Sequence, residues 1–566
     1  MGVRRAVELV LEAANTRKGP LYTYGPLIHN PQIIDLLEQK GVSVLTDLSL
    51  VETGTVLIRA HGAPPHVKDS LGKKGVTIVD ATCPRVIKVQ TIIKKYTQQG
   101  YHTIIVGDAN HPEVIALLGY TEGRGMVVNS PEDISTLPAL DRAIVVAQTT
   151  QDGDLFSEIA KVFSVRFPHY KIFNTICDST MKRQRETREM AKEVGALIVV
   201  GGYNSGNTQR LAQIGQSSGV PAYHIEEVTD LDPTLLEGID TIGITAGAST
   251  PTWVISKVLK AIENLPYAGK IGWRSAIHKI QRTLLLSNLY VSLGAGCLSF
   301  ACALLLGIVP RLSTALMAAF YVLSMHIMNR LTNKEAKRYN DPDRAGFDEK
   351  FKGLLFAMSI CSGAIGLGMA YLLGTKPFLI LLIMSILGML YNVKILPGDI
   401  KLFGRFQKIK DIPGSKTFLI AAAWGVVTVI LPALTVFSAI NPAILFVFVW
   451  TSILVFIRSA IFDIVDIQGD RIVGQETLPI VLGEKQTLRL LKILLVVLMV
   501  TIPVGYRLSL ISSFGFAMLP CLFYFAGMLT IYERNWMFAG FRFEFLVESG
   551  LVLSGIIAAV WEFMGG

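Results

Sequence analysis

The sequence predicts an α/β domain followed by an all-α membrane domain, because the two halves of the chain differ strongly in composition. The chain has 566 residues, of which 51% are hydrophobic and 17% are charged, against about 25% charged in an ordinary soluble domain. Charged residues recur every few positions up to about Gly269, whereas long apolar runs follow one another after about Ile277. This composition excludes a disordered chain, a disulfide scaffold and a purely soluble enzyme. We predict two domains, over residues 1–268 and 275–566.

Strand-like runs alternate with helical patterns in the first half. Each short run of apolar and β-branched residues is followed by a polar or glycine turn, and the runs span residues 55–59, 76–79, 103–106, 143–146, 171–173, 196–200 and 241–244. This alternation is typical of βαβ units with a parallel sheet that is covered on both faces. Ligands of such sheets bind at the carboxyl ends of the strands, so the residues just after each run are the functional candidates.

The turns of this half are rich in chemically active side chains. Three histidines, one glutamate and several hydroxyl and amide groups occur there: His29, His61, His111, Glu113, Thr149, Ser205, Asn207 and Ser249. A single histidine in such a loop is more often structural, but three of them beside one glutamate favour a site. Imidazole, hydroxyl and amide donors suit a diphosphate, because they offer many hydrogen bonds to its oxygens without requiring a fixed metal.

Two of the six cysteines, Cys83 and Cys177, lie in the first half, each shortly after a strand-like run. The other four lie in apolar runs, where a cysteine is usually a small buried hydrophobe. No CxxC pair joins Cys83 and Cys177, which disfavours a zinc ribbon, and an iron–sulfur cluster normally uses more than two thiolates. The N-terminus has no apolar signal-peptide segment, so we expect the first half in the cytoplasm with reduced thiols.

The motifs of the first half resemble those of LytB-type 4-hydroxy-3-methylbut-2-enyl diphosphate reductases, in the family's order over residues 1–265. The matching segments are 80–84 (DATCP), 111–114 (HPEV), 148–150 (QTT), 174–177 (NTIC) with Arg183-Gln184, 204–207 (NSGN) and 245–249 (TAGAS). The resemblance implies three pseudo-symmetric α/β units that reductively remove an allylic hydroxyl to give isopentenyl and dimethylallyl diphosphate. It also implies a [4Fe-4S] cluster on Cys83 and Cys177, Glu113 as proton donor, and an electron donor such as ferredoxin or flavodoxin. The diphosphate contacts that it implies are His29, His61, His111, Thr149, Ser205, Asn207 and Ser249.

The sequence departs from that family at one cluster ligand. The family's first cluster cysteine stands two positions before a Gly-Val-x-Arg-Ala segment, which here is residues 2–6 (GVRRA), so its position falls just before Met1. Two alternatives follow: the start of the chain is assigned too late, or this half has lost its cluster. Gly206 stands where the family often has serine, while nearly all the other pocket residues match.

About nine apolar stretches in the second half are long enough, or nearly so, to cross a membrane at roughly 20 residues each. They centre near residues 295, 320, 363, 384, 427, 452, 497, 520 and 554. With a cytoplasmic first half, the loops at 330–352, 393–416, 463–488 and 533–545 lie inside, and they carry most of the Lys and Arg, as the positive-inside rule requires. We predict a multi-pass protein of the inner membrane with its N-terminal domain in the cytoplasm. The net charge of +9 then reflects loop bias and not nucleic-acid binding.

Three carboxylates follow one of these stretches at helical spacing. Asp463, Asp466 and Asp470 would lie on one face of a helix, where like charges repel one another unless a divalent cation such as Mg²⁺ lies between them. The run 463–479 (DIVDIQGDRIVGQETLP) resembles the second aspartate motif of UbiA-type membrane prenyltransferases, a likeness that covers residues 275–566. It implies an all-helical bundle of about nine spans, with a lateral opening to lipid, that transfers a prenyl group from a Mg²⁺-bound diphosphate.

The first motif of that second family is degenerate in this chain. Asn329 and Asn333 remain as oxygen ligands, whereas Arg330 and Lys337 stand where carboxylates are expected. These basic side chains either take over part of the diphosphate charge or mark a changed substrate. The nearby segment 341–343 (DPD) is more typical of a turn.

Together the two halves predict a fused isoprenoid enzyme that binds isoprenoid diphosphates and the lipid bilayer, and no nucleic acid. A first alternative is a cluster-free diphosphate-binding domain that regulates an active membrane transferase. A second is a reductase with a non-catalytic membrane anchor. The iron content of the protein distinguishes the first alternative, and the effect of Asp466→Asn distinguishes the second.

Overall fold

The computed structural model describes residues 2–17, 19–263, 265, 273–332, 341–390, 414–534 and 540–565. The chain divides into two compact units, Met1–Ala268 and Gly269–Gly566, and each is described by itself. Two residues of the degenerate motif, Asn333 and Lys337, lie outside the described residues.

Parallel strands and helices alternate through the first unit, as the spacing of the apolar runs predicts. Its strands are β1 (Leu21–Tyr24), β2 (Val42–Leu45), β3 (Thr55–Ile58), β4 (Thr77–Asp80), β5 (His102–Val106), β6 (Gly125–Val128), β7 (Ala143–Ala147), β8 (Lys171–Phe173), β9 (Ala196–Val200), β10 (Ala222–Ile225) and β11 (Ile242–Ala246). Its helices are α1 (Gly2–Thr16), α2 (Pro31–Gln39), α3 (Pro65–Lys73), α4 (Pro84–Thr97), α5 (Pro112–Leu118), α6 (Gly153–Arg166), α7 (Asp178–Ala191), α8 (Gly206–Ser217) and α9 (Thr252–Glu263).

The strands form three separate sheets, in the orders β2-β1-β3-β4, β6-β5-β7-β8 and β10-β9-β11, with every pairing parallel. The first two sheets have the same connectivity, and the third repeats their first three strands among the described residues. The predicted α/β class with three pseudo-symmetric units is therefore confirmed.

The central strands β3, β7 and β9 are buried at every position. Helices cover both faces of such strands, which is why their sequences are continuous apolar runs without alternation. Burial of one Val, Leu or Ile side chain contributes roughly 1.5–3 kcal/mol, so these strands supply much of each unit's core. The strands that the sequence did not reveal are β1, β2, β6 and β10, which have four residues each and partly exposed positions.

The second unit is helical throughout its described residues. Its helices are α10 (Trp273–Leu286), α11 (Leu289–Leu305), α12 (Leu312–Thr332), α13 (Pro342–Lys350), α14 (Lys352–Leu373), α15 (Thr375–Leu390), α16 (Ser415–Gly425), α17 (Leu431–Ala433), α18 (Pro442–Val465), α19 (Ile467–Val473), α20 (Leu478–Leu482), α21 (Glu484–Arg507), α22 (Phe514–Ala517), α23 (Leu519–Glu533) and α24 (Phe541–Phe563). A π-helical turn, Val426–Ile430, joins α16 to α17.

Seven helical segments within the described residues are long and apolar enough to cross a membrane: 312–332, 352–373, 415–433, 442–465, 484–507, 514–533 and 541–563. An eighth span results if Lys279–Leu286 and Leu289–Leu305, bent by 75° at their junction, are counted together. Each predicted centre falls in an apolar helical segment, and the shortest of these helices, α15, has 16 residues and ends where the described residues end. The chain is a multi-pass membrane protein.

Candidate active sites

The register of the sheets brings the carboxyl ends of their strands together. Tyr24, Ile58 and Asp80 lie in one row of the first sheet, and Val106 pairs with Ala147 in the second. The loops that follow these ends line one pocket, which contains every site residue predicted for the first unit: His29, His61, Cys83, His111, Glu113, Thr149, Cys177, Ser205, Asn207 and Ser249. The structure thus brings together residues up to 220 positions apart (249 minus 29).

Three imidazoles form the centre of this pocket. Ring centroids lie 4.8 Å apart for His29 and His61, 5.3 Å for His61 and His111, and 5.8 Å for His29 and His111. One ring nitrogen from each imidazole lies within 4.8 Å of the other two. The three imidazoles therefore converge on one small volume, where they can contact the same ligand.

Several polar atoms of the pocket are buried and have no hydrogen-bond partner among the described residues. They are His29 Nε2, His61 Nδ1, and both Oδ1 and Nδ2 of Asn207. A buried polar atom without a partner costs about 1–3 kcal/mol, so such atoms mark the place of a ligand. Ser205 and Ser249 add hydroxyls whose oxygens lie 3.4 Å apart.

The histidines are uncharged near neutral pH. Burial lowers the pKa of His29 and His61, and it lowers the pKa of His111 to about 4. The positive charge of Arg59 acts in the same direction on all three. Neutral imidazoles donate one N–H each, so the three histidines offer a ligand hydrogen bonds without formal charge.

Glu113 is the buried carboxyl of the pocket, with 1% of its surface exposed. It lies in the first turn of α5, and its Oε1 accepts the backbone N–H of Thr149 at 2.7 Å while its Oε2 accepts the Thr149 hydroxyl at 2.8 Å. Burial raises the pKa of Glu113 to about 7, against the opposing effect of these hydrogen bonds. A carboxyl with this pKa can give or take a proton at neutral pH. Thr149 lines the pocket, but its hydroxyl holds Glu113.

The two cysteines occupy equivalent places in two sheets. Cys83 follows β4 and caps α4, and Cys177 follows β8 and caps α7. Each backbone N–H donates to the loop after the neighbouring strand, Cys83 to Ala60 O at 2.9 Å and Cys177 to Thr149 O at 3.0 Å. Helix N-termini favour negative charge, and soft thiolates suit iron. The described residues therefore fit two of the thiolate ligands of an iron–sulfur cluster, a cofactor that the LytB family implies.

The start of α1 lies against one of these thiols. A Cβ atom placed on Gly2 would lie only 2.0 Å from Cys83 Sγ, a distance that no side chain can occupy. Gly2 is therefore required for this close approach.

The aspartates of the second unit are held at a break between two helices. Asp463 is in the last turn of α18, Asp466 separates α18 from α19, and Asp470 is within α19. The helix is thus interrupted at Asp466 and not continuous as predicted, although Asp470 N still donates to Asp466 O at 3.1 Å. Asp463 and Asp470 are 4% and 2% exposed.

Charge crowding at these aspartates fits a cation site. Burial and the neighbouring Asp470 carboxylate raise the pKa of Asp466 to about 8. Asp463 accepts the Thr417 hydroxyl, and Lys416 Nζ lies 3.9 Å from its Oδ1. Hard oxygen donors from clustered carboxylates are the ligands that Mg²⁺ prefers. Magnesium, with its bound diphosphate, therefore suits the residues present.

Arg330 does not take the role that the sequence suggests for it. Its guanidinium donates to Leu286 O at 2.5 Å and to Asn288 Oδ1 at 3.3 Å, and it forms an ion pair with Asp348 at 2.8 Å. These contacts tie α12 to the α10–α11 junction and to α13. Arg330 therefore has a structural role. Asn329, one residue earlier on α12, is half-buried.

Other contributors to the second site were not found from sequence. Thr417 precedes the aspartates by 46 positions, and nothing in its local pattern indicates a contact with Asp463. Asp341 caps α13 by accepting Arg344 N at 3.1 Å, as a turn motif predicts. Arg344 in turn pairs with Glu544 of α24. For Arg344 and Glu544, the sequence offers one signal, which is a charged residue close to a membrane span.

Comparison with known proteins agrees with this geometry. Residues 1–263 match the LytB protein family and residues 292–546 match the UbiA prenyltransferase family. The 4-hydroxy-3-methylbut-2-enyl diphosphate reductase of Geotalea uraniireducens is 42% identical over 264 residues, which are 47% of this chain and 93% of the relative. That of Aquifex aeolicus is 42% identical over 267 residues, 47% of this chain and 92% of the relative.

Solved structures of both kinds are also similar to parts of the chain. The reductase from Plasmodium falciparum has 28% identity and a TM-score of 0.46, covering 50% of this chain and 95% of its own. A UbiA homologue from Archaeoglobus fulgidus bound to GPP and Mg²⁺ has 16% identity and a TM-score of 0.35, covering 47% of this chain and 96% of its own. Through residues 1–263 the chain belongs to the LytB family of 4-hydroxy-3-methylbut-2-enyl diphosphate reductases, and its residues 292–546 are similar to the UbiA prenyltransferase family.

Proposed function

We propose that the first unit binds 4-hydroxy-3-methylbut-2-enyl diphosphate and replaces its allylic hydroxyl by hydrogen, giving isopentenyl and dimethylallyl diphosphate. The observation that carries this proposal is the set of unsatisfied buried donors beside one buried carboxyl. Such a pocket suits a molecule with an anionic end and a reacting hydroxyl. Reductases of this name are 42% identical to this half.

The pocket residues divide between binding and proton delivery. His29, His61 and His111 donate to diphosphate oxygens, together with Ser205, Asn207 and Ser249, and the anion accepts from the buried N–H groups that lack a partner. Glu113, oriented by Thr149, supplies the proton that the hydroxyl needs to leave as water.

Cys83 and Cys177 would hold the iron–sulfur cluster, which would supply electrons and a Lewis acid for the hydroxyl oxygen. The reaction consumes two electrons and two protons, one proton on the leaving oxygen and one on the allylic carbon skeleton. A reduced one-electron protein such as ferredoxin or flavodoxin is therefore the proposed partner. The chain's own contribution is to hold both thiols at helix N-termini in the same pocket as Glu113.

The direct test of this function uses the detergent-solubilised chain, reconstituted anaerobically with iron and sulfide and supplied with a chemical reductant. We expect 4-hydroxy-3-methylbut-2-enyl diphosphate to be converted into the two five-carbon diphosphates. An iron-loaded protein that leaves the substrate unchanged would overturn the proposal.

Iron content is expected to depend on the two pocket thiols. Cys83→Ser and Cys177→Ser each remove one thiolate, so we expect bound iron after reconstitution to fall several-fold, as measured by metal analysis and visible absorbance. Cys361→Ser changes an exposed thiol of α14 and serves as the matched control. A chain extended so that a cysteine stands two positions before Gly2 should bind more iron than the parent.

Equal iron in the parent and in both serine variants would instead support the alternative of a diphosphate-binding regulatory domain without a cluster. The same measurement therefore decides between these two readings of the first unit.

The second unit is proposed to transfer a prenyl group from a Mg²⁺-bound diphosphate to an acceptor. Asp463, Asp466 and Asp470 would hold the metal, with Asn329 and the undescribed Asn333 from the other motif. A cation between buried carboxylates removes their mutual repulsion and adds charge stabilisation for the leaving diphosphate.

We infer that the first unit lies in the cytoplasm and that the protein belongs to the inner membrane. The loops predicted on the cytoplasmic side carry 17 of the 25 Lys and Arg residues of the second half, as the positive-inside rule requires. The described aspartates lie on the same side as these loops, because Asp466 directly follows a span that ends at Val465. Both diphosphate sites then face the compartment in which soluble diphosphates and reduced thiols occur.

A further inference from the structure

Helix α7, which begins just after Cys177, touches loops of two different sheets with two different faces. On one face, Arg183 Nη1 donates to Ala246 O at 2.8 Å, and the Thr187 and Thr245 hydroxyl oxygens lie 3.3 Å apart. Residues 183 and 187 are one helical turn apart. This face therefore holds the end of β11, which leads into the loop that carries Ser249.

The other face of α7 holds the loop after β7. Gln184 Nε2 donates to Gln151 O at 3.1 Å, and its Oε1 accepts Gly153 N–H at 3.3 Å. One turn later, Arg188 Nη2 lies 3.0 Å from an Asp152 carboxylate oxygen. This loop begins with Thr149, whose N–H and hydroxyl hold Glu113.

These contacts are built into the core of the first unit. Gln184 and Thr187 are each 1% exposed, and the bonds of Gln184 satisfy both a carbonyl and an N–H of a loop that belongs to no sheet. A buried amide that pairs with a donor and an acceptor fixes both backbone positions. Cys177 adds a third fixed point, because its N–H donates to Thr149 O at 3.0 Å.

We propose that α7 is a positioning helix that fixes the positions of the Cys177 thiol, the Ser249 loop and the Thr149 loop relative to one another. Arg183 and Thr187 position the Ser249 hydroxyl that binds the diphosphate. Gln184 and Arg188 position Thr149, which in turn orients the proton donor Glu113. The motif Arg183-Gln184 thereby acquires a role in the reaction without touching substrate. This inference rests on the proposed function of the pocket.

The two faces predict separable effects on the two loops. Loss of the Arg183 contact should loosen the Ser249 loop and weaken anion binding, while Glu113 keeps its partners. Loss of the Gln184 contact should loosen residues 149–153 and leave the anion contacts in place. A helix that merely stabilised the fold would loosen both loops together.

The test combines hydrogen–deuterium exchange with calorimetric titration of inorganic pyrophosphate, on the full-length chain in detergent. Arg183→Met is expected to speed exchange in residues 246–250 only and to raise the Kd for pyrophosphate about tenfold, because the Ser249 hydroxyl is then no longer held in place to donate to the anion. Gln184→Met is expected to speed exchange in residues 149–153 only and to leave that Kd within about twofold.

Arg185→Met is the matched control, because it removes an exposed arginine from the same helix. It should change neither the exchange rates of the two loops nor the pyrophosphate affinity. Arg183→Lys should recover most of the affinity lost in Arg183→Met. The inference is overturned if either variant loosens both loops equally, or if Arg183→Met behaves as Arg185→Met does. A parent chain that binds no pyrophosphate would overturn the proposed function instead, while the exchange pattern would still report on α7.

Discussion

Glu113→Gln is expected to lower the turnover number for reductive dehydroxylation by roughly 10²–10⁴, the usual contribution of a positioned general acid. Glutamine has nearly the same shape and can still contact Thr149, but it has no proton to give to the leaving hydroxyl. Binding of inorganic pyrophosphate should change by no more than about twofold, because Glu113 does not contact the anion. Steady-state kinetics and calorimetry on the same preparation measure the two effects.

The turnover of the parent enzyme should depend on pH through the protonation of the Glu113 carboxyl. Burial raises the pKa of Glu113 to about 7, so the protonated form dominates below pH 7 and falls about tenfold for each pH unit above it. Turnover that depends on this proton therefore declines as the pH rises through about 7. The residual turnover of Glu113→Gln should not show that decline.

Protein stability supplies a check that does not need turnover. A carboxyl whose pKa is raised on folding from 4.5 to about 7 destabilises the fold increasingly as the pH rises from about 4.5 to 7, and fully above that, by on the order of 3 kcal/mol. Glu113→Gln should therefore raise the melting temperature at pH 9 and change it little at pH 4.5. Glu158→Gln, an exposed substitution on α6, should do neither. A Glu113 variant that is less stable at pH 9 would contradict the raised pKa.

Much of the first unit follows from local sequence, because strands buried on both faces are mainly apolar. β3, β7 and β9 are buried at every position and β5 at all but its first, and their predicted positions agree with the structure. β2, with the burial pattern buried-exposed-intermediate-buried, gives no such signal in four residues. Its pairing with β1 depends on the rest of the sheet.

The roles of individual side chains depended on contacts that sequence cannot show. The strand ends predicted the pocket, but only the fold reveals that the Thr149 hydroxyl is used by Glu113. Likewise, Arg330 falls in a motif, yet its guanidinium pairs with Asp348 and donates to the Leu286 carbonyl and the Asn288 amide oxygen. Residues separated by dozens of positions decide these roles, and no periodic pattern encodes such pairs.

Asp466→Asn is expected to weaken Mg²⁺-dependent binding of geranyl diphosphate about 100-fold, because it removes one carboxylate from the proposed metal site. Calorimetry on the full-length chain, with Mg²⁺ and then with a chelator, measures the Mg²⁺-dependent part of the binding separately. This works because the pocket of the first unit is proposed to bind diphosphates without Mg²⁺. Glu476→Gln is the matched control. It removes an exposed carboxylate from the same segment of chain and should leave Mg²⁺-dependent binding within about twofold.

The sign of the stability change separates a metal site from a structural network. Burial and repulsion by Asp470 raise the pKa of Asp466 to about 8, so without metal the ionised Asp466 is a destabilising charge above that pH. Asp466→Asn should then raise the melting temperature of the chelated protein at pH 9, yet abolish most of the further increase that Mg²⁺ with geranyl diphosphate gives to the parent. A carboxylate that served only to hold α18 and α19 together would lower the melting temperature in both conditions when replaced. That outcome, with ligand-induced stabilisation intact, would contradict a magnesium role for Asp466.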